Sequence, residues 1–209
     1  MDALPIFKSV YSNQKSAYKV FKEYFFTCKW FEVYDFIEFL LQDTDTLLFD
    51  SGIQSINTVL EMENAAYRIV GSEVVEMTDT NEIAAIEDAL NHPDAPVRAH
   101  IQTALAMLSD RKSPDYRNSI KESISAVEAT CRLVTSMKTA TLGDALKKVT
   151  DLHPALQKGF LALYGFTSDA SGIRHSLLEE SNLTYADAKF MLAACSSFVS
   201  YLRSSANET

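Results

Sequence analysis

The chain has 209 residues, enough for one or two domains with a substantial core, and its 47% apolar content is ordinary for a globular protein. Its formal net charge of −9 argues against passive binding of nucleic acid over the whole surface. No apolar run approaches the roughly 18 residues of a membrane span, and the N-terminus has no basic stretch followed by a continuous apolar one, so neither a membrane segment nor a signal peptide is expected. The three cysteines, Cys28, Cys131 and Cys195, form no CxxC pair and each falls in a helical pattern. They are expected to be buried free thiols of a cytoplasmic protein rather than a disulfide framework.

The first twelve residues have no clear period. From Gln14 to Thr27, Ala17, Val20, Phe21, Tyr24 and Phe25 recur at three- and four-residue steps, which predicts an amphipathic helix. A second helix follows over Trp30–Leu41, so aromatic that core packing is expected of it, and a third over about Ile53–Ala65. Tyr67–Met77 carries the one clear strand signal: two short β-branched runs split by Gly71-Ser72, a two-residue turn pattern suited to a hairpin. Two strands alone are marginal, so the hairpin is expected to lie against helices.

Asp79 with Glu82 has the form of a capping box and opens a helix to about Leu90; His92-Pro93 ends it, and another helix covers Ala95–Ser109. Ser113-Pro114 supplies an expected N-cap and first helical position for a long helix, Pro114–Met137. Thr141 with Asp144 starts a helix to about Leu152, His153-Pro154 breaks it, and Ala155–Tyr164 is helical again. The stretch Tyr164–His175, with two glycines and a small polar run, is expected to be a loop, after which Thr184 with Asp187 caps a last helix to Arg203. The resulting expectation is a mainly α chain divided into an N-terminal helical region, residues 1–66, and a helical domain, residues 67–209, with the hairpin near its start.

Charge is unevenly spread. Residues 111–148 hold eight Lys/Arg against four Asp/Glu, whereas residues 1–110 hold seven against eighteen. Metal chemistry and cofactors find no support: the four histidines have no HxxxH or HExxH spacing, and there is no phosphate-binding glycine loop or GxSxG motif. The remaining chemical feature is Arg174 beside His175, a permanent cation next to a group that titrates near neutral pH. On the helix from Pro114, Arg117, Lys121 and Glu128 stand at steps of four and seven on one polar face. That face either binds phosphate or holds ordinary helix-face ion pairs. Asp169 is either a loop cap or a partner that fixes Arg174.

Several blocks also carry a resemblance. Pro114-Asp115-Tyr116-Arg117-Asn118-Ser119-Ile120-Lys121-Glu122-Ser123-Ile124-Ser125-Ala126-Val127-Glu128, then Thr141-Leu142-Gly143, Leu163–Asp169 and Gly172-Ile173-Arg174-His175, resemble bacterial HEPN-superfamily domains, in particular the type at the front of AbiJ-like abortive-infection proteins. The resemblance runs from about Tyr67 to Leu202. It implies a HEPN-like helical bundle with additional N-terminal helices and one short β-hairpin, a homodimer paired through its long helices, and a phage-defence role.

It further implies metal-independent RNA cleavage by an Arg-His site: Arg174 and His175 as catalytic residues, Arg117 or Lys121 on the phosphate, Glu128 orienting His175. The chain departs from the family's pattern, in which four to six residues separate the Arg from the His on one helix; here the two are adjacent, and adjacent helical residues project about 100° apart. The alternative reading is therefore a non-catalytic HEPN-like module that binds a protein partner or a ligand.

Overall fold

The computed structural model describes residues 14–42, 49–137, 142–149, 152–168 and 183–207. The chain clusters into two compact units, residues 1–49 and 50–209. Among the described residues it is mainly helical, with nine helices and one two-stranded antiparallel hairpin, and no helix is long and apolar enough to cross a membrane.

The first unit contains α1 (Gln14–Thr27) and α2 (Trp30–Gln42). Phe36 is its buried centre, with the rings of Phe21, Phe25 and Tyr24 at 5.4, 5.5 and 6.2 Å. The tight break between the helices is set by α2's first turn: the Lys29 backbone N–H donates to the Glu32 carboxylate at 2.6 Å, satisfying an amide that has no helical acceptor.

The second unit begins with α3 (Phe49–Met62), of which only Phe49 lies in the first. The hairpin follows: β1 (Arg68–Val70) pairs with β2 (Glu73–Val75) in the register Arg68↔Val75, Ile69↔Val74, Val70↔Glu73. Its turn is Gly71-Ser72, as the sequence suggests, and Gly71 has φ of +58°. A two-stranded ribbon has two unpaired edges, and Asn57 of α3 takes up part of one of them. Its Nδ2 donates to the Ile69 carbonyl at 2.8 Å, and its Oδ1 accepts from the Ile69 N–H at 2.7 Å, the pair of bonds a third strand would make. Ile69, Val70, Val74 and Val75, which alternate between the two faces of the ribbon, are all buried, as is Met77 just beyond it.

The remaining helices are α4 (Thr80–Leu90), α5 (Ala95–Ser109), α6 (Tyr116–Thr135), α7 (Leu142–Leu146), α8 (Pro154–Ser168) and α9 (Tyr185–Asn207). Helix α6 lies centrally: it packs against α5 and α9, the two most extensive helix contacts of the chain. Its stripe Ile120, Ile124, Val127 and Cys131 meets Ile101, Leu105, Leu192, Cys195 and Val199 in one apolar core. Small polar residues also lie at this interface and bond to backbone. Ser119 Oγ donates to the Ala104 carbonyl at 2.8 Å, and Ser123 and Thr130 donate one turn back along α6.

Several boundaries differ from expectation for identifiable reasons. Helix α6 starts at Tyr116, with Asp115 rather than Ser113 as its cap; the Asp115 carboxylate accepts from the Asn118 N–H at 3.0 Å and its side chain amide at 2.7 Å. The expected helix to Leu152 shortens to the single turn of α7, while its proposed cap Thr141 lies outside the described residues. Helix α8 runs on through Tyr164 and Gly165 to Ser168, so the first five residues of the expected loop are helical. Phe160, Leu161, Leu163 and Tyr164 pack on the core, and that burial outweighs the weak helix propensity of one glycine.

Candidate functional site

Arg174, His175 and Asp169 lie outside the described residues. Arg117, Lys121 and Glu128 are all on α6, with Arg117 half-buried in the first turn and Lys121 exposed. Glu128, expected to orient His175, forms an ion pair with Arg132 one turn on, at 3.6 Å. That pair involves Arg132, which was not among the residues of either reading, and the roles of Arg117 and Lys121 are left to be tested by function.

The histidines divide sharply. His92 is buried where α4 ends, and its Nδ1 accepts from the Asp94 N–H at 3.1 Å; burial, with the nearby Arg203 charge, pushes its pKa down. Arg98 donates to the His92 and Pro93 carbonyls at 2.6 and 2.8 Å, closing the same break. His153 Nδ1 accepts from the Ala155 N–H at 3.2 Å and helps to start α8. Both pre-proline histidines thus serve as helix-end caps.

His100 is different. Its Nδ1 lies 2.7 Å from Glu122 Oε2, joining α5 to α6, and both side chains remain partly open to solvent. Sequence reading passed over this pair because its members stand 22 positions apart and fall under no local spacing rule. The available signal was weaker: each is a polar residue beside the apolar stripe of its own helix.

A second polar cluster ties α9 to α4. Asp88 accepts from Ser200 Oγ and from Arg203 at 2.7 and 2.8 Å, and those bonds hold its carboxyl below the usual carboxylate range. Lys189 pairs with Glu82 at 2.9 Å, and Tyr185 donates to the Glu76 carbonyl at 2.5 Å; burial first, then nearby acids, raises the Tyr185 pKa. These contacts fasten the last helix, and each polar group in them is already engaged.

Neither core cysteine offers a nucleophile, since burial pushes the Cys131 and Cys195 thiols up to about 12, whereas Cys28, expected to be buried like them, is only half-buried on the short link between α1 and α2. Among the described residues there is no group of three or more His, Cys, Asp or Glu placed to hold a metal ion. An open groove of about 410 Å³ between α8 and α9 is lined by Gly159, Ala162, Leu163, Phe190 and Met191, with Asp187 at its edge. Asp187 is occupied in capping Thr184, so the groove has apolar walls and no free acid or base.

Comparison with known families adds one finding. Residues 2–92 match the family model described as AbiJ N-terminal domain 4, somewhat under half of the chain. The match supports an AbiJ-like abortive-infection domain and associates the chain with phage defence. It covers the first unit, α3, the hairpin and α4, and therefore precedes most of the 67–202 segment that carries the HEPN resemblance. No curated protein and no solved structure matches the chain.

Proposed function

We propose that the chain is a phage-defence module whose residues 67–209 form a HEPN-like domain acting on RNA without a metal. The observation that carries the defence role is the AbiJ N-terminal domain match at residues 2–92. The RNA reading is supported by the concentration of positive charge on residues 111–148, eight Lys/Arg against four Asp/Glu in a chain of net charge −9. Local basic charge is what attracts a polyphosphate chain, whatever the total.

In this reading Arg117 and Lys121 hold phosphate, Arg174 stabilises the charge that develops on it, and His175 moves a proton at the ribose. The domain works as a homodimer in the cytoplasm. The test is cleavage of RNA by the purified protein in EDTA, with Arg174→Ala and His175→Ala as comparisons and circular dichroism as the folding check. Loss of cleavage in both folded variants is the expected result.

A second reading, a non-catalytic module that binds a protein partner, is favoured by the adjacency of Arg174 and His175. Inactivity of the wild type together with recovery of a stoichiometric partner from infected cells would select it.

A further inference from the structure

The charged side chains of α9 are all engaged. Asp187 accepts from the Thr184 hydroxyl, Lys189 pairs with Glu82, and Arg203 pairs with Asp88. Another side of the helix carries no charge. At 100° per residue, Ala186, Phe190, Ala194, Ser197, Tyr201 and Ser204 fall within one sector of about 80°, a stripe about 27 Å long. None of the six belongs to the buried core, and Phe190 and Tyr201 are 55% and 41% exposed. The groove between α8 and α9 opens beside Phe190, with the exposed Gly159 and Ala162 on its other wall. Large apolar side chains gathered on an open surface mark a contact face.

The stripe reads alike in both directions. Phe190, Ala194, Ser197 and Tyr201 are spaced by four, three and four residues, with an aromatic ring at each end and small residues in the middle. Turned about a two-fold axis between Cys195 and Ser196, the pattern falls on itself. Phe190 then faces Tyr201 of the partner subunit, and Ala194 faces Ser197 of the partner subunit. A two-fold contact joins a surface to itself, so a charge near the axis meets its own like. The stripe avoids that cost, although each chain has a net charge of −9 and repels its copy elsewhere. Small central residues let two helix axes approach to about 8 Å, the near limit for packed helices. An unrelated partner would require no such symmetry.

We propose that this stripe of α9 is the docking face for a second copy of the chain, paired antiparallel, with the partner's Tyr201 beside Phe190 at the groove. The proposal rests on the homodimer of the reading above and names its face; it does not depend on the RNA step. One helix face with the adjoining wall of α8 is at the small end of protein interfaces, so the dimer exchanges with monomer at micromolar concentration.

The experiment follows the full chain by sedimentation velocity from about 1 to about 100 µM, the range of a small interface. Wild type is expected to pass from monomer to dimer. Ser197→Arg, at an exposed position, sets two guanidinium groups against each other near the axis. It should weaken association about 30-fold or more, with unchanged circular dichroism. Cross-linking in a Cys28→Ser background, where the remaining native thiols are buried, reads the register. A chain with Phe190→Cys mixed with one carrying Tyr201→Cys should form an intermolecular disulfide under air oxidation. Neither should do so alone, because two copies of either position lie about 16 Å apart along the paired helices, beyond disulfide reach.

A wild type that stays monomeric overturns the proposal together with the homodimer reading and leaves the stripe to another partner. A dimer that persists in Ser197→Arg at wild-type strength, or that gives no disulfide specific to the mixture, overturns this face and leaves the homodimer standing. Should Ser197→Arg fail to fold, the mixed cross-link decides alone.

Discussion

Asn57 offers the sharpest test of how the hairpin is held. Its amide makes both backbone hydrogen bonds of a buried hairpin residue, Ile69, at 2.8 and 2.7 Å. Asn57→Ala removes two hydrogen bonds and leaves the Ile69 N–H and carbonyl facing a gap on α3. Each net bond contributes about 1 kcal/mol and a stranded buried group costs about 1–3 kcal/mol, so the expected loss, with partial access of water, is about 2–4 kcal/mol. For a chain of this size each kcal/mol moves Tm by about 2–4 °C, which predicts a fall of about 4–16 °C.

Asn57→Asp is the control. It keeps an acceptor for the amide but sets a carboxylate against the Ile69 carbonyl, and so should recover none of the loss at neutral pH. Urea denaturation followed by circular dichroism measures both variants, and hydrogen exchange at the Ile69 amide shows where protection disappears. A loss below about 0.5 kcal/mol with Ile69 still protected would refute the reasoning, because that is the range of an ordinary surface substitution.

Three further expectations concern other elements. Gly71 has φ of +58°, and a Cβ there would stand 3.0 Å from Leu90 Cδ1; Gly71→Ala should lose about 1–2 kcal/mol by thermal melting. The Asp88 carboxyl is held below its ordinary range, so its contribution is present above the unfolded value near about 4 and is lost as pH falls through the lower folded value. Asp88→Asn should therefore be less stable than wild type by about 1 kcal/mol at pH 7, after allowance for solvent screening, with the difference shrinking in melts as the pH is lowered below about 4. Cys131 and Cys195, with thiols pushed up to about 12 and buried, should resist a thiol reagent at pH 8 in the native protein and react on unfolding. Rapid native labelling of either would contradict their place in the core.

The periodic elements were the legible part of this fold. Helices α1, α4 and α5 follow directly from apolar spacing, and the Gly71-Ser72 turn from two β-branched runs around a residue that tolerates positive φ. The Thr184–Asp187 capping box is reciprocal as read, with Thr184 N–H bonded to Asp187 Oδ2 at 2.9 Å and Asp187 N–H to Thr184 Oγ1 at 3.3 Å. The Asp79–Glu82 box is only half so: Asp79 accepts from the Asn81 and Glu82 amides, but Glu82 turns to Lys189, 107 residues away.

That difference marks what sequence spacing cannot reach. Local rules see partners within one turn. Asn57 with Ile69, His100 with Glu122 and Asp88 with Arg203 are made by tertiary packing, and no spacing rule announces them. The end of α8 was missed for the same reason, since the packing of Leu163 and Tyr164 carries the helix past Gly165. Of the candidate site, the polar face of α6 was legible, while the histidine held by a carboxylate was visible only once α5 lay against α6.

The most direct test of the defence reading is RNA integrity in phage-infected cells that express the chain, sampled before lysis beside cells expressing the folded His175→Ala variant. The account predicts RNA fragments and reduced phage yield with wild type, and intact RNA with normal yield in the variant. Full phage protection with intact RNA, unchanged by the substitution, would contradict it and assign the chain to partner binding.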